Sequence, residues 1–252
     1  MVLTGLVNPD GHDHSGHERH HDHAGPGRVE SSRRWLEASW PFVARRLPPP
    51  PARVVDLGCG PFGGFVPVLR SAGYEGFGVD PEAPDGPHFH RLEFERYAPT
   101  VRVGAIVAST SLHHVVDLDA VVSLIVSTLQ PDGVLIVLEW AWENFDEASA
   151  RWCFDRLGDD EGWLHRHREG WLASGQPWSS YVNDWFRAEG LHAGQDVLHA
   201  LSRSFVALDV TYGPYFFADL PAVTPEEEQN AIAAGQIRAN GIRYVGRPAP
   251  DR

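Results

Sequence analysis

Apolar and polar positions along this chain follow two rhythms, and the switches between them lay out its elements. Between residues 30 and 47, Trp35, Leu36, Trp40, Val43 and Leu47 recur at helical spacing, with Ser31 or Ser32 placed to cap and Pro41 able to kink the helix. The stiff spacer of prolines at 48–51 leads into a short apolar run, residues 53–57, that reads as a first strand. Helical spacing returns at 65–70 and stops at Gly73, a residue suited to a helix C-cap. Further strands are predicted at 76–79, 89–92 and 105–108, the last apolar throughout. A helix over 117–129 turns Val121, Val122, Ile125 and Leu129 inward, and Pro131-Asp132-Gly133 makes a turn before a fifth strand at 134–138. Strands alternating with helices at this spacing predict an α/β fold with a doubly wound, mostly parallel sheet.

From residue 139 onward the pattern is less regular, although helices are predicted at 146–157 and 196–204 and strands at 205–210 and 242–245. Thr224-Pro225-Glu226-Glu227 has the cap, first-turn proline and early acids of a helix running to Ala234-Gly235. Seven of the nine tryptophans fall between residues 140 and 185, marking an aromatic-rich helical insertion. The expected organisation is a disordered, histidine-rich tail at 1–27 followed by one domain at 28–252. That domain divides into a helical lead-in (28–51), a ligand-binding core (52–140), a lid or acceptor insertion (141–204) and C-terminal strands and helix (205–252). There is no internal repeat.

Composition narrows the chemistry. A chain of 252 residues with 42% hydrophobic content can build one full α/β domain plus an extension. The net charge is −13, and all 21 basic residues are arginine. Without lysine there can be no Schiff-base lysine, no pyridoxal phosphate anchor and no P-loop. So acidic a chain is also poorly matched to nucleic acid, whose phosphates need a basic face. Cys59 and Cys153 are too few for a disulfide framework, which fits a reducing cytoplasm. No apolar run reaches the ~18 residues of a membrane span. The tail carries His12, His14, His17, His20, His21 and His23, which can take up a divalent metal adventitiously, but their spacing matches no closed structural site and no metal centre is expected elsewhere. The oligomeric state is left open.

The most informative segment is Val55-Asp56-Leu57-Gly58-Cys59-Gly60-Pro61-Phe62-Gly63-Gly64, at the end of the first strand. Its glycines let the backbone approach a ligand closely, and Asp56 sets a carboxylate at the strand end, where it suits a cation better than a pyrophosphate. The same glycine spacing, with Asp80 about 20 residues further on, also satisfies the dinucleotide fingerprint of nicotinamide dehydrogenases. Asp56 argues against that reading, as do Leu112-His113-His114 and Pro131-Asp132-Gly133, which dehydrogenases do not need. From about residue 54 to residue 139 the chain resembles the small-molecule branch of the class I methyltransferases that use S-adenosylmethionine (SAM) and release S-adenosylhomocysteine (SAH). The resemblance implies that Asp56, Gly58, Cys59 and Gly60 lie at the methionine end of SAM, Asp80 and Pro81 at its ribose, and Glu93 and Phe94 at its adenine, with Ser109 and Thr110 beside it. Two positions depart from the family pattern: Val103-Gly104 replaces a common Phe-Asp pair, and Glu93 replaces the more usual Asp.

Methyl transfer is an in-line displacement that needs a base only if the nucleophile arrives protonated. The ends of the fourth and fifth strands would bring Ser109, Thr110, His113, His114, Glu139 and Trp140 near the transferred methyl. His113 or His114 could take a proton, as imidazole does near neutral pH, or could simply pin the following helix. Glu139 could orient an amine or hydrogen-bond the first helix of the extension. No Asn/Asp-Pro-Pro-aromatic motif follows the fourth strand. The implied acceptor is therefore a small molecule, methylated on an O or N atom and expected to be aromatic or heteroaromatic. Trp140, Trp142, Trp163, His165, Trp171 and Tyr212 would line its pocket, with flat apolar walls for a ring or a cation; ordinary core packing is the alternative. Two other functions stay open at this point: a non-catalytic SAM or SAH binding module with a metal-sensing tail, and a nicotinamide dehydrogenase.

Overall fold

The computed structural model describes residues 26–159 and 162–250. The histidine-rich segment up to residue 25 lies outside the described residues, whereas Pro26 and Gly27 already belong to the first helix, α1 (Pro26–Ala44). The strands are β1 (Arg53–Leu57), β2 (Glu75–Val79), β3 (Phe89–His90), β4 (Val103–Ser109), β5 (Leu129–Trp140), β6 (Phe205–Gly213) and β7 (Gly241–Pro248). They form one seven-stranded sheet in the order β3-β2-β1-β4-β5-β7-β6. All neighbours run parallel except β7, which is antiparallel to both β5 and β6.

Successive residues of the central strands point to opposite faces, and both faces are covered, which is why these strands are apolar throughout. Val55, Ile106, Ala108, Leu135 and Val137 enter one core with Val121, Val122 and Ile125 of α3 (Leu118–Thr128). Val54, Ala105, Val107, Ile136 and Leu138 enter the other, with Phe42 and Val43 of α1 and Phe65 and Leu69 around α2 (Val66–Ser71). Each fully buried aliphatic or aromatic side chain stabilises the fold by about 1.5–3 kcal/mol.

A third core of different character sits beyond the carboxyl ends of the strands. It is built from α4 (Glu147–Phe154), α5 (Trp163–Ser174), α6 (Trp178–Glu189) and the segment around Phe216 and Phe217, with Trp140 at its centre. Trp140 stacks on Tyr215 (centroids 5.2 Å apart, 4° between planes) and meets Trp163 and Phe186 edge-on. Two helices, α7 (Gly194–Ser202) and α8 (Pro225–Ala233), complete the molecule.

Several boundaries depart from the sequence reading for identifiable reasons. The third strand has only two residues, and Leu92 lies outside it. Strand pairing in β5 extends back to Leu129, with an irregularity against β4, so Pro131-Asp132-Gly133 falls within the span of β5. Helix α4 starts where Asp146 accepts the Ser149 N–H (2.9 Å) and ends at Phe154, three residues early. Helix α7 starts two residues early because Glu143, remote in sequence, accepts the N–H groups of Gly194 and Gln195 (both 2.9 Å). That carboxylate satisfies donors that no local side chain caps. Among the described residues no helix is long and apolar enough to cross a membrane.

Candidate active site

The turn after β1 is built from backbone that only glycine adopts without strain. Gly58 and Gly60 hold φ of +80° and +63°, and Gly63 and Gly64 are also left-handed. A Cβ on Gly58 would strike the Ser111 side chain, whereas one on Gly60 would meet nothing within 4 Å among the described residues. Gly58 is thus required by the protein itself, while Gly60 keeps open a space that faces a cavity. Two carboxylates frame that space. Asp80 at the end of β2 accepts from the N–H groups of Gly60 (3.0 Å) and Glu82 (2.7 Å). Asp56, 1% exposed, accepts from the Phe65 N–H through Oδ2 (2.6 Å), and its Oδ1 has no hydrogen-bond partner among the described residues. Burial pushes the Asp56 carboxyl up to about 7; the Phe65 hydrogen bond opposes this rise and the nearby charge of Asp80 adds to it.

At the end of β4, Thr110 occupies left-handed backbone (φ +51°), a conformation that costs a β-branched residue on the order of 1–3 kcal/mol and so marks a constrained site. Its N–H donates to the Leu138 carbonyl (2.7 Å) and its hydroxyl to the Ser109 carbonyl (2.8 Å). Ser111 ties this bend to β1 by donating to the Leu57 carbonyl. The next turn presents His113, whose Nδ1 lies 2.5 Å from Glu139 Oε2. Both side chains are buried, and the same carboxylate also accepts from the backbone N–H groups of His113 (3.2 Å) and Trp140 (2.7 Å). Burial alone would raise the Glu139 carboxyl, but the His113 charge and these three hydrogen bonds hold it below its ordinary value. Glu139 thus orients a histidine and does not reach for α4.

One cavity of about 920 Å³ joins these features. Its floor is the glycine turn with Asp56, Cys59 and Asp80, and its far end is Ser109, Thr110, His113 and His114. His114 packs against His113 with the two rings tilted (centroids 4.1 Å apart, 39° between planes) and is itself exposed. Of the aromatic and histidine positions expected to line an acceptor pocket, Trp163 and His165 do so, and Trp140 stands directly behind Tyr215 and Trp163. The others are elsewhere among the described residues. Trp142 stacks on Phe186 and donates to the His192 carbonyl. Trp171 is buried against Phe154 and Trp178. Tyr212 stands half-exposed on the edge strand β6. Phe94 is buried in the core beside Tyr97, and neither it nor Glu93 nor Pro81 is part of the cavity wall, which reaches Glu82.

Sequence reasoning missed the roof. The first turns of α1 close the cavity through contacts made across most of the chain: Ser31 donates to Asp219, Arg34 to the carbonyls of Ala218, Leu220 and Val223, and Trp35 to Ser109 Oγ (2.9 Å). The only local signal was Trp35 and Arg34 side by side in the helical lead-in, and it named no partner.

The arrangement fits SAM. An unpartnered buried carboxylate oxygen beside an open glycine cradle suits a cationic ligand, and a second acid at the end of β2 suits hydroxyls. A pyrophosphate would meet both negative charges. The description of a known family, "Methyltransferase domain", matches residues 32–188, well over half of the chain. No curated protein sequence matches it. Among solved structures, an S-adenosylmethionine-dependent methyltransferase from Mesorhizobium loti is similar at 22% identity and TM-score 0.53, covering 84% of this chain and 99% of that one. The PH0226 protein of Pyrococcus horikoshii OT3 is similar at 13% identity and TM-score 0.55, covering 86% and 91%. Geranyl diphosphate C-methyltransferase from Streptomyces coelicolor A3(2) is similar at 17% identity and TM-score 0.51, covering 86% and 80%. The glycine turn, its two acids and the sheet order therefore carry one conclusion with the family match: the chain belongs to the methyltransferase domain family and is a SAM-dependent methyltransferase of the class I fold.

Proposed function

We propose that this enzyme methylates an O or N atom of a small, aromatic or heteroaromatic acceptor, with His113 as the proton-accepting group. The observation that carries this reading is the buried His113–Glu139 pair at the wall of the same cavity that contains the glycine turn. SAM would be held by Asp56, Gly58, Gly60 and Asp80, and it supplies an electrophilic methyl on a sulfonium. The chain's own part is to align and to move a proton. Glu139 accepts from Nδ1 of His113, so that in the neutral imidazole Nε2 would carry the lone pair that takes the acceptor's proton, and the carboxylate would stabilise the imidazolium that results. Ser109 and Thr110, held by the strained bend, bound the same end of the cavity. His114, beside it, is the second histidine within reach of that wall.

A panel of phenols, hydroxylated heterocycles and ring amines, assayed for SAH formation, tests the reading. His113→Gln, which keeps a hydrogen bond to Glu139, is expected to lower kcat by about 10²–10⁴ with SAM affinity unchanged. Full activity in that variant would remove His113 from the reaction.

A further inference from the structure

The acceptor end of the cavity carries a carboxyl group that neither the SAM cradle nor the His113–Glu139 pair uses. Asp219 follows the turn at Phe216–Ala218 and lines the cavity. It accepts hydrogen bonds from the Ser31 hydroxyl of α1 and the Trp163 indole of α5 (3.0 Å). Both donors are neutral, so neither cancels the charge of the carboxylate. Arg34 gives its hydrogen bonds to the carbonyls of Ala218, Leu220 and Val223, and its charge favours the Asp219 carboxylate, while burial, the larger effect, raises the carboxyl. The other acids on the wall, Glu30, Asp56, Asp80 and Glu82, outnumber the two arginines there, Arg28 and Arg34.

Around Asp219 the wall is aromatic. Trp163 donates to it, and Tyr215 precedes it by four residues. Trp35 meets Tyr215 edge-on (5.4 Å, 68°) and donates its indole N–H to Ser109 at the end of β4. Each ring is held by a partner: Tyr215 by the parallel stack on Trp140, Trp163 by the edge contact to Trp140, and Trp35 by stacking on Phe217 (5.7 Å, 16°). Rigid rings present π faces whose negative quadrupole attracts cations and repels anions, and a carboxylate among them adds to that preference. A neutral acceptor would leave the Asp219 carboxylate with only the Ser31 and Trp163 hydrogen bonds and the Arg34 charge to favour it against burial, and an anionic one would be repelled.

We propose that the methyl acceptor carries a protonated amine, and that Asp219 together with Trp35, Trp163 and Tyr215 forms the subsite that holds it. This rests on the reading of the cavity as the methyl-transfer site and narrows the acceptor class within it. The subsite lies on the Ser109 side, so the amine anchors the acceptor within the part of the cavity that also contains His113.

The test compares 2-phenylethylamine, charged at neutral pH, with its neutral isostere 2-phenylethanol by calorimetry, with and without SAH. The amine should bind about tenfold more tightly or better. Asp219→Asn should bring the two within about twofold while leaving SAH affinity unchanged. Equal or tighter binding of the alcohol, failure of the amine to bind at millimolar concentration, or an amine preference that survives Asp219→Asn would each overturn the proposal. The wild-type comparison decides the matter even if the variant fails to fold. Failure of SAH to bind strikes at the methyl-transfer reading, whereas SAH binding and methylation of neutral phenols without any amine preference overturn the amine subsite alone.

Discussion

The two ends of the cavity are made in different ways. The SAM end is a backbone device: the glycine conformations of a ten-residue turn, with Asp56 inside it and Asp80 at the end of the next strand, create the site between residues 55 and 80. The acceptor end is a side-chain device, assembled from α1, the turn at Phe216–Ala218 and the start of α5, which meet only in three dimensions. The first can be read from spacing because local geometry dictates it. The second is set by which of many similar aromatic rings happen to face inward, and spacing does not determine that.

The sharpest test of this contrast compares two tryptophans on one helix. Trp171 is buried among Phe154 and Trp178 with the Arg151 guanidinium over its ring, and Trp163 lines the cavity. Trp171→Ala should cost about 3–5 kcal/mol of stability in denaturant unfolding and leave acceptor KM alone in the variant that remains folded. Trp163→Ala should raise acceptor KM with a smaller loss of stability and unchanged SAM affinity. If the two variants behave alike, the aromatic layer is a single packing unit and the division drawn here fails.

At the SAM end, Gly60→Ala should separate binding from folding. The added methyl meets no atom within 4 Å among the described residues, so the stability loss is limited to the left-handed backbone, about 1–2 kcal/mol, while the cradle is filled. SAM affinity should fall by about a hundredfold, or about 2.7 kcal/mol, in calorimetry. Next in size, Asp80→Ala removes an acceptor expected to make two charge-assisted hydrogen bonds of about 1.5–3 kcal/mol each with ribose hydroxyls, and should weaken SAM by about tenfold or more. Unchanged SAM affinity in Asp80→Ala would move the ribose away from β2.

What the sequence made legible follows the same division. The alternation that sends Val54 and Val55, or Ile106 and Val107, to opposite cores is visible as apolar runs bounded by glycine and proline, and it sufficed for the sheet. The glycine turn and Asp80 were legible because their constraint is local. Helices α5 and α6 were not located: Trp178, Val182, Trp185 and Phe186 do recur at helical spacing along α6, but in α5 the polar run His165 to Glu169 separates Trp163 from Trp171. The pairing of His113 with Glu139 needed the register of β4 against β5, which spacing does not supply. Nor could Ser31 be matched to Asp219, which lies 188 residues further along the chain.

The remaining test concerns Asp56, whose unpartnered oxygen is the signature of the SAM end. Its carboxyl is raised from 3.8 to about 7 in the folded protein, so between these values the folded state holds a proton that the unfolded chain has released. Stability from this group is therefore fully present below about pH 4 and lost as pH rises through about 7, with a slope of about 1.4 kcal/mol per pH unit. Asp219 and Glu228 are raised by burial in the same sense, so the wild-type profile alone does not isolate Asp56. The difference between wild type and Asp56→Asn does, because the amide still accepts the Phe65 N–H but cannot ionise. Without SAM, the melting temperature of wild type should fall relative to Asp56→Asn between about pH 4 and 7, and the two profiles should run parallel above about pH 8. Parallel profiles across the whole range would mean that Asp56 is ionised throughout. The open oxygen would then be satisfied in solution, and a cation would have to displace the group that satisfies it.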